Sequence, residues 1–133
     1  MPISLYLGFW TIARRVIDFE SGELWTFEGS AEITASAFVE QGWLRRPGSA
    51  VQAFRRYLLE IEKRNKVNVR RSDGCPFITL TCAPLQTIEH PCGADLYRGR
   101  LIFLDADRWI ETWRVQGPRK HYRSVTHYDR VST

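Results

Sequence analysis

The sequence contains no long apolar run and no cysteine framework. No window approaches the roughly 18 to 20 apolar residues of a membrane-spanning helix, and the N-terminus lacks the basic segment and small-residue cleavage site of a secretory signal. Its three cysteines, Cys75, Cys82 and Cys92, are odd in number and have no C-x-x-C spacing. We therefore expect no disulfide framework, no membrane partner and a cytoplasmic location, with the mitochondrial matrix open if a presequence has been removed.

Glycine and proline are also scarce, with nine and six residues among 133. There is no internal repeat, low-complexity segment or linker. Hydrophobic residues make up 44% of the chain and charged residues 26%, which excludes a disordered or collagen-like protein. The length and composition therefore predict one folded domain that spans residues 1–133. Aromatic residues reach 13%, and so many large rings need a substantial interior or a pocket wall.

Positive charge is concentrated in the middle of the chain. The net charge is +4, but residues 45–71 hold nine basic side chains, Arg55 and Arg71 among them, and only two acidic ones. Such a zone can bind phosphates. The alternation of basic with apolar residues is more typical of the solvated side of a sheet. We therefore expect no nucleic-acid binding, because charge alone specifies no sequence.

Alternation with a period of two residues dominates the sequence and predicts strands. The runs are rich in aromatic and β-branched residues and are separated by turn signals. Gly29 lies inside the second run and predicts a bulge or a sharp bend, while residues 2–7 are short enough to form a plug or lid. The predicted strands are residues 8–19, 24–34, 37–46, 67–71, 77–82, 86–89, 96–105, 108–116 and 120–130.

Residues 51–64 fit two structures. Phe54, Tyr57, Leu58 and Ile61 recur at helical spacing among good helix formers, which locally favours a helix. The same residues also fit a strand. The chain then has about nine or ten antiparallel strands, and a sheet of that size exposes two edges unless it closes. We therefore predict an all-β fold, a single antiparallel up-and-down barrel that can hold one small ligand.

Two parts of the sequence resemble known barrels. Leu7-Gly8-Phe9-Trp10 resembles the G-x-W element of lipocalin-like (calycin) barrels, in which the Trp closes one barrel end beneath a basic side chain from the last strand. That resemblance implies Gly8 and Trp10 as structural residues, with Arg123 or Arg130 above the indole. Three further motifs are Asp73-Gly74-Cys75-Pro76-Phe77, the H-x-C-x-x-D-x-Y of His90, Cys92, Asp95 and Tyr97, and the W-x-V-x-G-P-R-K-x-Y that runs from Trp113 through Lys120 to Tyr122.

Together these motifs are similar to a family of small, mainly bacterial proteins that carry a domain of unknown function assigned to a lipocalin-like barrel. The resemblance covers nearly the whole chain. It implies the barrel fold and favours a strand over residues 51–62, against the local helical pattern. It implies structural roles for His90, Cys92, Asp95, Lys120 and Tyr122, and it implies no reaction.

The segment around His90 could carry chemistry. His90, Cys92, Asp95 and Tyr97 lie within eight residues, and a barrel enzyme acting through His90, Asp95 and Tyr97 is one hypothesis. No nucleophile motif accompanies them. A tight turn from His90 to residue 93, with Asp95 capping its amides and Cys92 buried, fits better. We also expect no metal and no cofactor, because His90 and Cys92 make only two zinc ligands and no haem motif surrounds His90, His121 or His127.

The C-terminal strands suggest a ligand site. Alternation puts Trp109, Glu111, Trp113 and Val115 on one face, and burial of two indoles would turn that face inward. An inward Glu111 needs a cationic or hydroxyl partner, which Arg14, Tyr57, Tyr97 or Arg123 could supply. In the last strand, one face is basic and the other bears hydroxyls, while Lys120 in the preceding hairpin could bond loop carbonyls or meet an anion. The predicted ligand-binding residues are Arg14, Tyr57, Tyr97, Glu111, Trp113 and Arg123.

These residues predict a non-enzymatic barrel that binds a small molecule with an apolar body and a polar head. The alternative is a structural or assembly subunit of a larger complex, whose filled barrel presents a basic outer face. An open interior with a few converging polar groups favours the first hypothesis, and a solidly packed one favours the second.

Overall fold

The structure is a computed structural model and describes residues 3–131. A short 3-10 helix, Ile3–Tyr6, precedes ten strands, and no helix in this range has the length and apolar character needed to cross a membrane. The all-β prediction is confirmed. The strands are β1 (Gly8–Asp18), β2 (Leu24–Ile33), β3 (Ala37–Arg46), β4 (Ser49–Lys63), β5 (Lys66–Arg71), β6 (Pro76–Thr81), β7 (Leu85–Cys92), β8 (Asp95–Asp105), β9 (Arg108–Gln116) and β10 (His121–Arg130).

The strands form one nearly closed up-and-down barrel. Each strand pairs antiparallel with its neighbours in sequence, except β6 with β7, and β1 also pairs with β10, from Trp10 opposite Arg130 to Asp18 opposite Tyr122. The two sheet edges are β6 and β7, which share no ladder. We call the gap between these two strands the seam. The barrel wall is therefore continuous everywhere except at the seam.

Residues 51–64 form most of β4, so the locally favoured helix is wrong and the strand implied by the family resemblance is correct. The strand pairs with β3 from Ala37 opposite Leu58 to Arg46 opposite Ser49, and with β5 on its other side. Two flanking ladders supply backbone partners that outweigh a modest helical preference. As a result Arg55 and Tyr57 lie on the inward face of the barrel.

The end of β7 corrects the turn predicted at His90. His90, Pro91 and Cys92 are the last residues of the strand, and the turn is at residues 93–94, with Gly93 at a φ of 60°. Pro91 is tolerated because β7 is an edge strand and its missing N–H breaks no ladder. Cys92 is exposed, not buried as expected, since it lies at the tip of the hairpin. Within residues 3–131 there is no disulfide bond.

Gly29 marks a close approach of two strands and not a bulge. The β2–β3 ladder runs without a register shift, and Gly29 lies directly opposite Gly42. A Cβ atom on Gly29 would collide with the carbonyl oxygen of Gln41 and the Cα of Gly42. Only glycine therefore permits this close approach of the two strands. Ala53 pairs with Gly42 and extends the row of small residues into β4.

Trp10 closes one end of the barrel, as the G-x-W resemblance implies. Its indole is fully buried, and its Nε1 donates to the carbonyl of Tyr6 at 3.0 Å. The guanidinium of Arg130 lies 4.4 Å from the ring centroid and also donates to the carbonyls of Leu7 and Ala106. Tyr6 is buried, so the segment before β1 acts as the expected plug; Pro2 lies outside the described residues.

Candidate functional site

The end of the barrel opposite Trp10 is its mouth. Because the strands alternate in direction, every turn from an odd-numbered strand to the next even-numbered one lies at this end. Three of these turns contain the motifs that carry the family resemblance. They are residues 72–75, 93–94 and 117–120.

The orientation of β9 agrees with the prediction, and the structure decides which of the two faces of β10 lines the interior. Trp109 and Val115 are buried, and Glu111 faces the interior. On β10 the hydroxyl face is inside, because the Tyr128 ring stacks on Trp109 with centroids 3.7 Å apart. Arg123 therefore lies on the exposed outer face. Its predicted role as an inward ligand-binding residue is wrong.

A charged cluster, defined as Arg14, Glu40, Arg55, Glu111 and Tyr128, crosses the barrel midway between the mouth and the closed end. Its centre is the Glu40 carboxylate, which is 1% exposed. Arg14 donates to it from Nη1 at 3.1 Å and from Nη2 at 2.9 Å. Arg55 Nη2 donates at 3.1 Å and the Tyr128 hydroxyl at 2.6 Å. Two guanidiniums thus share one buried carboxylate.

Glu111 has different partners from those predicted. Its carboxylate accepts hydrogen bonds from Trp113 Nε1 and, at 3.0 Å, from the Tyr128 hydroxyl. Arg14, one of the predicted partners, binds Glu40 instead and donates from Nε to Thr126 Oγ1 at 2.7 Å. A phenol has one hydrogen, so Tyr128 donates to only one of its two carboxylates at a time.

Sequence reasoning missed three members of this cluster: Glu40, Arg55 and Tyr128. A signal existed for Arg55, because in the strand reading of residues 51–64 it shares a face with the predicted residue Tyr57. Glu40 likewise alternates with the apolar Phe38 on one face of β3. Neither pattern reveals that these side chains meet, since their strands become neighbours in space only when the sheet closes.

Burial and charge together hold Glu40 and Tyr128 of the cluster each in one protonation state. Burial by itself raises the pKa of Glu40, but the nearby guanidiniums of Arg55 and Arg14 outweigh it and hold that pKa below its ordinary value. Burial and two adjacent carboxylates raise the pKa of Tyr128 well above its ordinary value. Glu40 is therefore ionised and Tyr128 protonated at neutral pH. The pair of Glu40 and Tyr128 therefore acts as a fixed brace of the barrel interior.

The barrel interior contains two spaces on either side of the charged cluster. The mouth chamber has a volume of about 570 Å³, and Arg14, Glu40, Arg55 and Glu111 form its floor. A smaller apolar cavity of about 90 Å³ lies between this floor and the closed end. The walls of the mouth chamber carry aromatic rings, among them Trp25, Phe27, Tyr57, Phe77, Tyr97, Trp113 and Tyr122.

Phe77 connects the aromatic walls across the interior. Its ring lies nearly parallel to Tyr57, with centroids 5.5 Å apart and an angle of 9°. It also stacks on Trp113 at 5.6 Å and 28°. A Cβ atom on Gly99 would collide with the Trp113 indole, so that glycine makes room for this wall. Tyr57 and Trp113 thus both line the chamber.

Two hairpins meet at the rim of the mouth. Lys120 Nζ donates to the Tyr97 hydroxyl at 3.1 Å and lies 3.8 Å from Asp95 Oδ2. The predicted bond of Lys120 to loop carbonyls is therefore replaced by a contact to the neighbouring hairpin. Asp95 faces Lys120 and makes no hydrogen bond to turn amides in the part of the chain that the structure describes, so the predicted cap is wrong.

The residues of the enzyme hypothesis are adjacent but do not form a catalytic pair. His90 lies opposite Tyr97 in the β7–β8 ladder, and their ring centroids are 6.2 Å apart. No hydrogen bond joins His90 to Asp95 among the contacts of residues 3–131. In the same range no three His, Cys, Asp or Glu residues are arranged to hold a metal ion.

The outer surface is less basic than the sequence suggests. Arg55 faces the interior, and the Arg71 guanidinium lies 5.2 Å from the ring centroid of the inward Phe77. Several other basic residues lie within 4 Å of glutamates on neighbouring positions. These pairs are Arg45 with Glu28, Arg46 with Glu23, Lys66 with Glu62 and Arg70 with Glu60.

Comparisons with known proteins agree with the barrel. The family model described as "Family of unknown function (DUF6314)" matches residues 6–130. No curated protein matches the sequence. The S-type phycobiliprotein lyase CPES from Guillardia theta is similar in structure, with a TM-score of 0.65 and 10% identity, over 100% of this chain and 94% of that one. The designed barrel EF1p2_mFAP2b bound to DFHBI has a TM-score of 0.49 and 10% identity, over 98% and 97% of the two chains.

Proposed function

Because the chain belongs to the family of unknown function DUF6314, we propose a function from its own interior: the barrel binds a small molecule with an apolar body and a polar head in the mouth chamber, without catalysing a reaction. The polar head meets the charged cluster at the floor, and the apolar body lies against the aromatic walls.

The exposure of Arg55 carries this proposal. Its side chain points into the barrel and binds the buried Glu40, yet 41% of its side-chain surface is accessible. An inward-facing side chain keeps that much accessible surface only where the space beside it is open. In a solidly packed interior the side chain would be as covered as Glu40. An open polar floor beneath aromatic walls is a common property of ligand sites.

The size and lining of the mouth chamber support the same proposal. Small-molecule sites usually enclose about 300 to 1,000 Å³, with mostly apolar walls and few polar groups, and the chamber encloses about 570 Å³. The assembly-subunit hypothesis predicts a filled barrel and a basic outer face, and both the chamber and the glutamates beside the outer basic residues argue against it. The similarity to a phycobiliprotein lyase supports the barrel fold alone, so the choice of ligand rests on the chamber.

A substitution that fills the mouth chamber with a large side chain tests the proposal. Ala53 lines the mouth chamber, whereas the adjacent Gln52 is exposed on the outer face. We expect the wild-type protein to bind Nile red, an uncharged dye whose fluorescence rises in apolar sites, in a saturable manner with one dye per chain. Ala53→Phe should abolish this binding because the new ring occupies the chamber. Gln52→Phe, the matched control, should bind the dye as the wild type does.

Fluorescence titration measures the affinity, and circular dichroism shows whether each variant keeps its fold. Equal dye binding by wild type and a folded Ala53→Phe protein would contradict a site in the mouth chamber. Native mass spectrometry of freshly purified protein adds an independent test, because a molecule retained by the wild type should be absent from Ala53→Phe and present in Gln52→Phe.

A further inference from the structure

The four charged side chains at the chamber floor differ in how many of their hydrogen-bonding groups have a partner within the protein. Arg14 is 13% exposed and donates to Glu40, Thr126 and Tyr128. Glu40 accepts hydrogen bonds from two arginines and a phenol. Glu111 accepts from an indole and the same phenol. Each of these three groups is engaged by neighbours that hold it in place.

Arg55 is the exception at the floor. Among the described residues only Glu40 accepts a hydrogen bond from it, and that bond uses Nη2. In the same part of the chain Nη1 makes no hydrogen bond, and neither does Nε, which is itself buried. Nη1 is therefore the donor that a molecule in the chamber can reach. Guanidinium donors that protein groups leave unused are the strongest available binding groups for a ligand, because they carry charge in a partly desolvated place. The group that completes Arg55 must therefore be a hydrogen-bond acceptor.

The chamber lining carries four basic and four acidic side chains, Glu20 among the latter. Net charge therefore does not select the ligand head, and the choice depends on which groups near the floor have no protein partner. Arg119 and Lys120 line the chamber at the rim, above Arg55. The carboxylate of Asp18, also at the rim, is engaged by the Glu20 amide at 3.0 Å and the Ser21 hydroxyl at 2.9 Å. At the floor, both carboxylates are held by protein donors. A cationic head would meet carboxylates that already accept hydrogen bonds from the protein, whereas an anionic head would meet Arg55 donors that no protein group accepts.

We propose that the ligand head is a carboxylate and that Arg55 binds it, which specifies the proposed function and rests on it. A planar carboxylate matches the planar guanidinium better than a compact cation or an alcohol does. Arg14 and Glu40 act as positioning residues, since they hold the Arg55 side chain at the floor. The molecule is thus an aromatic or otherwise apolar acid that enters head first through the mouth.

A matched pair of probes tests this proposal: 2-naphthylacetic acid, which is ionised at neutral pH, and 2-naphthylacetamide, which has the same shape and no charge. Isothermal titration calorimetry measures both affinities for wild type, Arg55→Met and Arg56→Met. Arg56 is exposed on the outer face of the same strand and serves as the control. We expect wild type and Arg56→Met to bind the acid about 10- to 100-fold more tightly than the amide. Arg55→Met should bind the two equally.

The outcomes separate this inference from the proposed function. Equal binding of acid and amide by the wild type would overturn the carboxylate head and leave a ligand-binding barrel. An acid preference that persists in Arg55→Met would overturn the assignment to Arg55. If neither the probes nor Nile red binds, the proposed function itself fails. If Arg55→Met fails to fold, Arg55→Lys tests the assignment to Arg55 instead. Lysine keeps the positive charge but lacks the planar guanidinium, so the ratio of acid affinity to amide affinity should fall several-fold relative to wild type.

Discussion

The Tyr128 hydroxyl donates to the Glu40 carboxylate at 2.6 Å, although the two residues are 88 positions apart in the chain. Their strands, β10 and β3, are not neighbours, since β1 and β2 lie between them in the sheet. The hydrogen bond therefore lies in the interior and links two strands of the barrel wall that share no ladder. It also separates the mouth chamber from the apolar cavity below, because both residues belong to the charged cluster.

Glu40→Gln should destabilise the protein strongly. The substitution leaves two inward guanidiniums without the carboxylate that compensates them, and breaking a buried ion pair in this way costs about 3 to 5 kcal/mol. Urea denaturation measures the free energy of unfolding. Glu28→Gln is the control, because its side chain is 73% exposed on the outer face and its loss should change stability by less than about 0.5 kcal/mol. A similar small effect for both variants would contradict a central role for Glu40.

Stability should also depend on pH through Glu40. Because the pKa of Glu40 in the folded protein lies below its ordinary value, its contribution is fully present above the unfolded pKa of about 4.3 and is lost as the pH falls through the folded pKa. Unfolding free energies from pH 6 down to pH 2 measure this effect in wild type and Glu40→Gln. The difference between the two proteins should shrink below about pH 4. A difference that stays constant over this range would argue against the ionised Glu40.

Trp10→Ala should cost about 3 to 5 kcal/mol, because it removes a fully buried indole and leaves a cavity at the closed end. Phe9→Ala is the control: Phe9 precedes Trp10 on the same strand but is 55% exposed, so its removal should have a small effect. Chemical denaturation monitored by circular dichroism measures both. An unchanged midpoint for Trp10→Ala would contradict its role as the residue that closes the barrel.

Gln86→Ala should loosen the seam between β6 and β7. The Gln86 carboxamide accepts from the Thr81 amide at 2.8 Å and donates to the carbonyls of Thr81 and Ala83 at 2.7 and 3.1 Å. It thus replaces part of the missing ladder between the two edges. Loss of these buried hydrogen bonds should cost about 1 to 3 kcal/mol.

Hydrogen exchange locates the effect of that substitution. In Gln86→Ala the amides of β6 should exchange faster, while those of β1 and β10, which lie far from the seam, should keep their protection. The exposed neighbour Thr87 provides the control substitution Thr87→Ala, which should leave β6 unchanged. Uniform loss of protection through the whole barrel would indicate general destabilisation and not an opening of the seam.

Local sequence patterns predicted most of the strands correctly. They could not decide the structure of a segment whose pattern fits both a helix and a strand. The orientation of β9 followed from its two indoles, which are too large and apolar to face water together. Residues 51–64 satisfied both a helix and a strand, and only pairing with two neighbouring strands decides between them. On the last strand each face was a plausible lining, and the stacking of Tyr128 on Trp109 turned the hydroxyl face inward and Arg123 outward.

The sequence by itself determines most of the strands, most of the turns at the mouth and the burial of Trp10, because these depend on the period of a strand, on turn residues and on the hydrophobicity of single side chains. Only the tertiary structure decides that Glu40, Arg55 and Tyr128 meet, that Arg14 binds Glu40 and not Glu111, and that a chamber stays open above them. These contacts join strands far apart in the chain, and their geometry depends on how the barrel closes. The alternation pattern within a single strand carries no information about how the barrel closes.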